Sequence, residues 1–257
     1  MSTLFDITGR LALVTGSSRG IGLALARGLV EHGCSVVVNG RDPDAVAVAA
    51  TALRQDARDG ARVHEAPFDA TDAQAVRAAV GRLEAEVGAI DILVNNTGMQ
   101  NRKPVTEFGD DEWHRILDTN LTTAFYVSRE VARAMTARGA GRIVNICSLQ
   151  SMVARPGIAP YSATKGGLLM LTKGLCADLA PHGITVNAIG PGYFDTELTA
   201  ALVADEQFSS WVRGRTPAGR WGDVRDLVGT LVYLVSPASS FVNGQIVYVD
   251  GGMTSVL

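Results

Sequence analysis

The chain has 257 residues, long enough for an α/β domain with a substantial core that needs no disulfide or metal support. Its 47% hydrophobic and 19% charged residues are those of a folded globular protein, and a net charge of −3 offers no general basic footprint for nucleic acid. Cys34, Cys147 and Cys176 are far apart and odd in number, showing neither a disulfide framework nor Cys-x-x-Cys metal spacing. His32, His64, His114 and His182 do not recur with acids at ligand spacing, so no catalytic metal is expected.

Residues 1–10 lack the basic-then-apolar pattern of a signal peptide, and no apolar run approaches the ~20 residues of a membrane-spanning helix. A reducing cytoplasm is the expected setting. From there, short β-branched runs alternate with longer Ala/Leu-rich segments of helical period. Strands are expected at residues 11–15, 36–38, 62–66, 90–94, 142–146, 184–189 and 246–250. Helices are expected at 20–32, 43–58, 72–87, 110–138, 161–181 and 224–235, with Asp42 as an N-cap. Residues 193–222 are the least regular stretch and read as a mostly helical excursion over 196–212, followed by a loop through Pro217 and Gly219. Nearly continuous apolar strands separated by helices imply a doubly wound parallel sheet, Rossmann-type, covered on both faces. With no linker, repeat or charge block, residues 1–257 read as one domain.

The first strand runs directly into Thr15-Gly16-Ser17-Ser18-Arg19-Gly20-Ile21-Gly22, which opens the first helix. Gly16 suits a tight turn, Gly20 lets a pyrophosphate approach the main chain, and Gly22 permits close packing of the helix. The free N–H groups and positive end of that helix would face the phosphates, with Ser18 and Ile21 in the same turn. After the second strand, where an enzyme for NAD usually carries an acid for the ribose hydroxyl, the chain reads Val38-Asn39-Gly40-Arg41. Without that acid, Arg41 and Arg19 favour the extra phosphate of NADP.

Tyr161 and Lys165 are four residues apart, one turn along the same helix face. A phenol is a poor base at neutral pH, but a neighbouring ammonium and a positive nicotinamide ring favour its anion, giving a general acid/base. Ser148 follows the fifth strand, at the strand ends where doubly wound sheets bind ligands, and can hold a substrate oxygen.

The order Thr-Gly-x-x-x-Gly-x-Gly, Asn95-Asn96-Thr97-Gly98, Ser148 and Tyr161-x-x-x-Lys165 resembles the short-chain dehydrogenase/reductase family over essentially the whole chain, to Asp250-Gly251-Gly252. Thr97 stands where that family usually has alanine. The resemblance implies that Asn120 holds a proton-relay water beside Lys165, and that Asp69 lies near the adenine ring. It also implies that Asn96 and Gly98 border the cofactor, and that Pro191, Gly192 and Thr196 contact the nicotinamide carboxamide.

Within the family the resemblance is to members acting on sugar acids, carried by Asn145-Ile146-Cys147-Ser148-Leu149-Gln150-Ser151, Arg155-Pro156-Gly157-Ile158-Ala159-Pro160-Tyr161 and residues 191–196, 215–222 and 241–244. A polyol acid needs a cation for its carboxylate and polar partners for its hydroxyls. Arg102 can supply the first, and Ser148, Gln150 and Ser151 the second; Arg102 reads equally well as a plain surface arginine. Such members often have two successive arginines here, whereas this chain has Asn101 then Arg102. A 3-oxoacyl-carrier-protein reductase or another carbonyl reductase on the same scaffold, or a non-catalytic NADP-binding sensor, stay open as alternatives. The resemblance further implies a homotetramer. The apolar Ala124, Phe125, Val131, Leu168, Leu169 and Leu171 read as more surface than one sheet face needs.

Overall fold

The computed structural model describes residues 3–197 and 199–257; Met1 and Ser2, in the segment read for a signal peptide, and Leu198, in the expected helical excursion, lie outside the described residues. Seven strands form one parallel sheet in the order β3-β2-β1-β4-β5-β6-β7. They are β1 (Leu11–Val14), β2 (Ser35–Gly40), β3 (Val63–Pro67), β4 (Ile92–Asn95), β5 (Gly141–Ile146), β6 (Ile184–Pro191) and β7 (Ile246–Val249). The helices are α1 (Gly20–Glu31), α2 (Pro43–Asp56), α3 (Ala73–Glu86), α4 (Asp110–Leu117), α5 (Thr123–Arg138), α6 (Ala159–Leu179), α7 (Ala200–Ala204), α8 (Glu206–Arg215) and α9 (Val228–Val235).

Alternation along the strands sends side chains to two separate layers. Ala12, Val14, Val36 and Val38 pack with Leu25, Leu29, Leu53, Leu231 and Leu234 of α1, α2 and α9. Leu13, Val37, Leu93 and Ile143 face Val76, Val80, Val127 and Met135 of α3 and α5. Ala124, Val131 and Leu168, read from the sequence as spare interface surface, are buried within the protomer instead, at 4%, 0% and 2% exposure: Val131 in the α3–α5 layer, Ala124 and Leu168 in a smaller cluster with Cys147 and Ala188. Among the described residues no helix is long and apolar enough to cross a membrane.

Four helical segments depart from their expected form. The expected helix over 110–138 is interrupted by a π turn at Asp118–Thr122, which ends α4 and begins α5. The wide turn carries Asn120, whose side chain is drawn inward to Met99, while the Thr123 hydroxyl donates back to the Thr119 carbonyl. α6 begins at Ala159, two residues earlier than expected, because Pro160 in a first turn gives up no helical hydrogen bond. The excursion after β6 is two helices: the Asp205 carboxylate accepts from Phe208 N at 3.1 Å and starts α8 anew. Residues 224–227, expected as the start of the final helix, form a 3-10 turn leading into α9.

The order in which strands are added reverses between β1 and β4, the two neighbours whose carboxyl ends flank the crevice of a doubly wound sheet. Beneath that crevice runs a buried polar ladder. Asn95 Nδ2 donates to Ser128 Oγ and to Asn145 Oδ1, each at 2.8 Å. Asn145 Nδ2 donates to Thr172 Oγ1 at 2.9 Å, and that hydroxyl donates to the Leu168 carbonyl. The ladder fixes β4 and β5 against α5 and α6. Asn145→Ala leaves two of its partners short inside the protein, and is expected to lower stability by about 1–3 kcal/mol. Urea unfolding checks this, and an unchanged midpoint contradicts the ladder's role.

Candidate active site

Gly16 and Gly20 take left-handed backbone angles, φ +60° and +57°, that turn the chain from β1 into α1. Gly22 has no room for a side chain: a β-carbon there would lie 2.4 Å from both Gly16 O and Asn96 Nδ2. The glycine loop is pinned from two sides. Asn96 Nδ2 donates to Thr15 O and Gly16 O at 3.1 and 3.0 Å, and Asn39 Oδ1 accepts from Gly16 N at 3.2 Å. Thr15 Oγ1 accepts from the main-chain N–H groups of Asn96 and Thr97, at 3.0 and 3.2 Å.

Asn39 is therefore not an outward-facing replacement for an acid. It is buried, and its Nδ2 donates to the Ala66 and Phe68 carbonyls, so the side chain braces the loop from below. Asp42, the nearest acid, is turned away to cap α2, accepting from Asp44 N and Ala45 N. Asp69, after β3, accepts from the N–H and hydroxyl of Thr71. Arg19 and Arg41 are both exposed, and neither has an acidic partner among the described residues. Arg19 stands at the N-cap of α1, where no side chain caps the first N–H groups. An uncapped helix start with Ser18 just before it and Ile21 in its first turn, two unpaired arginines and no free acid fit the phosphates of a dinucleotide carrying an additional phosphate.

At the other side of the crevice, Lys165 is 4% exposed and donates from Nζ to the Ile146 carbonyl at 2.8 Å. No acid pairs with it among the described residues. Its ammonium lies 5.7 Å from the centre of the half-buried Tyr161 ring, and Ile146 is two residues before Ser148. Ser148 Oγ accepts from Gln150 N at 3.2 Å, which leaves the hydroxyl proton free to be donated. The Ser151 hydroxyl donates to the Ser148 carbonyl and closes the turn. Gln150 is buried, with Oε1 unpartnered among the described residues.

Asn120 Oδ1 accepts from Met99 N at 2.7 Å, and its Nδ2 donates to Met99 O and Thr164 Oγ1. A β-carbon on Gly98 would meet Asn120 Oδ1 at 3.4 Å and Lys165 Nζ at 3.8 Å, so the glycine keeps open the gap between these two groups. Cys147 is buried among the same elements. Burial pushes its thiol up to about 11, against a smaller opposing pull from Lys165, and no nucleophile results at neutral pH.

Gly192 packs against the start of the turn after β7, where a β-carbon would fall 2.8 Å from Asp250 Cα. Beyond Pro191 and Gly192, Tyr193 stacks edge-on against Phe208, Trp211 and Trp221, at centroid distances of 5.6, 5.8 and 5.7 Å. Thr196 is bonded through its N–H and hydroxyl to Thr199 Oγ1. Arg102 is exposed and donates to Gln100 Oε1 at 2.7 Å. Partial desolvation and the neighbouring Arg155 guanidinium lower its pKa, while Tyr193 and Tyr161 pull the other way. Arg155 opens one of the stretches that carry the resemblance, but the sequence reading assigned it no site role: its only signal was a cation between Ser148 and Tyr161 with no acid nearby in sequence.

A sheet with its switch point at a glycine loop, beside a serine, tyrosine and buried lysine, defines a nucleotide-dependent oxidoreductase. The model of a family described as enoyl-(acyl carrier protein) reductase matches residues 16–254. The chain belongs to the short-chain dehydrogenase/reductase family, a family of NAD(P)-dependent oxidoreductases. It is 52% identical over 251 residues to gluconate 5-dehydrogenase of Gluconobacter oxydans (strain 621H), covering 98% of this chain and 97% of the relative. It is 47% identical over 253 residues to 5-keto-D-gluconate 5-reductase of Escherichia coli (strain K12), covering 98% of each. The crystal structure of a gluconate 5-dehydrogenase from Burkholderia cenocepacia J2315 in complex with NADP and tartrate matches with a TM-score of 0.96 and 53% identity, covering 99% of each chain.

Proposed function

We propose that residues 1–257 act as one NADP-dependent domain that interconverts D-gluconate and 5-keto-D-gluconate, with Tyr161 as the acid/base. The observation that carries the reading is the buried, unpaired Lys165 ammonium, bonded to Ile146 O and set beneath the Tyr161 ring, with the Ser148 hydroxyl at the end of the same strand. The two sugar-acid relatives at about half identity support the substrate, and the NADP in the solved relative supports the cofactor.

Bound in the crevice, NADPH supplies the hydride to carbon 5 of the ketone. The protein does the rest. The glycine loop and α1 hold the pyrophosphate through main-chain N–H groups, and Arg19 and Arg41 take the additional phosphate. Asp69 borders the adenine, and Asn96 and Gly98 border the cofactor's ribose side. Pro191, Gly192 and Thr196 place the nicotinamide edge. Ser148 donates a hydrogen bond to the substrate oxygen, and Tyr161 delivers the proton as that oxygen gains charge. Lys165 favours the negative phenol oxygen left behind, and the gap beside Gly98 and Asn120 admits a water that returns the proton. Arg102 takes the substrate carboxylate, and Gln150 Oε1 accepts from a substrate hydroxyl.

Two broader parts of the reading have physical support of their own. Trp113, Phe125 and Met170 on α4, α5 and α6 are 39%, 40% and 62% exposed, apolar area suited to a homotetramer. Three cysteines without a disulfide suit a reducing cytoplasm.

NADPH is expected to be preferred over NADH. Each of Arg19→Ala and Arg41→Ala should cut the ratio of kcat/KM values by on the order of tenfold or more, as for a charge-assisted bond. A wild type that prefers NADH, or a double variant with an unchanged ratio, contradicts the phosphate assignment. Tyr161→Phe should lower kcat by about 10²–10⁴-fold, roughly 3–5 kcal/mol in barrier. NADPH affinity should change little in that variant, because the phosphate contacts lie elsewhere. Lys165→Ala should harm both turnover and cofactor binding. Steady-state kinetics with fluorescence titration of NADPH checks the pair, and near-native turnover by a folded Tyr161→Phe contradicts the mechanism.

A further inference from the structure

The loop after β4 carries one cation toward the substrate side of the crevice. Asn101, beside Arg102, is turned inward and donates to Glu112 Oε1 at 2.7 Å. Lys103, on its other side, is paired with Glu112 Oε2, which also accepts from Gly109 N. Glu112 thus anchors both neighbours of Arg102 and leaves Arg102 alone projecting from the loop.

A second guanidinium arrives from a different part of the chain. Lys103 N donates to Gly157 O at 3.0 Å, which ties the Arg102 loop to the loop that carries Arg155. Arg155 lies over the Phe208 ring at 5.1 Å, and Phe208 is edge-on to Tyr193 at 5.6 Å. Held over the ring by cation–π attraction, the Arg155 guanidinium keeps N–H donors available for an anion. Neither Arg102 nor Arg155 has an acidic partner among the described residues. Their charges are felt at one place: burial raises the pKa of Tyr193, and Arg155 and Arg102 both oppose that rise. Two cations on tied loops, neither ion-paired among the described residues and each unfavourable to the other, form an arrangement that a bound anion relieves.

We propose that Arg155 is the second arm of a carboxylate clamp, closing with Arg102 on the acid group of the substrate from two tied loops and setting the preference for acids over neutral sugars. The clamp rests on the sugar-acid reading above and adds to it a selectivity residue. Arg155 takes no part in proton or hydride transfer. Its cation–π contact with Phe208 joins carboxylate recognition to α8 and to the aromatic cluster around Tyr193.

The test is calorimetric titration of the enzyme–NADP complex with D-gluconate and with D-gluconamide, which keeps the polyol and removes the charge. Arg155→Ala is expected to lower the affinity ratio of gluconate to gluconamide by tenfold or more, the size of a charge-assisted contact. Arg155→Lys keeps a point charge without the planar fork, guards against a variant that fails to fold, and should fall between the two. An unchanged ratio in a folded Arg155→Ala, or equal weakening of both ligands, overturns the clamp. Turnover of 5-keto-D-gluconate by the wild type separates the two claims. If the wild type reduces it but the ratio ignores Arg155, the clamp alone fails. If it does not reduce it, yet gluconate binding depends on Arg155, the sugar-acid reaction fails and the clamp stands.

Discussion

The arrangement of the site depends on one buried charge. The Lys165 ammonium sits at 4% exposure with a main-chain carbonyl as its hydrogen-bond acceptor and no acid beside it among the described residues. A charge taken out of water without a counter-ion costs several kcal/mol, and a structural role would be served better by an apolar side chain. What such a charge can do is stabilise negative charge nearby in a medium that screens it poorly. The Tyr161 phenol, a group able to take negative charge, lies one helical turn away, with its ring centre 5.7 Å from the ammonium. The Asn95–Asn145–Thr172 ladder holds β5 and α6 in place, so the Ile146 carbonyl stays within reach of the ammonium.

Asparagine side chains serve as fasteners at most of the points where the crevice must keep its shape. Asn39 and Asn96 hold the glycine loop from opposite sides, and Asn120 ties the π turn to Met99. An amide both donates and accepts, so one side chain can satisfy a main-chain N–H and a carbonyl at once. Fixing the loop in this way means that little ordering is left for a ligand to bring about, which favours tight binding.

Much of this was readable in the sequence, for definite physical reasons. The alternation of apolar strands and helices gave the doubly wound sheet, since each strand must bury both faces. Gly16, Gly20 and Gly22 were recognisable because few residues tolerate their angles or contacts, and Tyr161 and Lys165 because helical spacing alone puts them on one face. The role of Asn39 was not readable: an amide at a strand end can face a ligand or the main chain, and only the position of Ala66 and Phe68 decides. The π turn was hidden because the helical pattern continues on both sides of it. Arg155 was invisible as a site residue because its neighbours, Arg102 and Phe208, are each 53 residues away in the chain.

The site divides its work between two groups of elements. In the proposed mechanism the strand ends of β4 and β5 with the first turns of α6 carry the proton chemistry, while the loops after β4 and before α6, with α8, carry the charge that selects a ligand. Such a division lets one scaffold keep its chemistry while the ligand changes. It also makes the substrate the claim most exposed to experiment. The direct measurement is NADPH oxidation by the wild type, at equal concentrations of 5-keto-D-gluconate, a neutral ketohexose and an acetoacetyl thioester. The account predicts the largest kcat/KM for the keto acid, with D-gluconate as the product; a larger value for the thioester would contradict it.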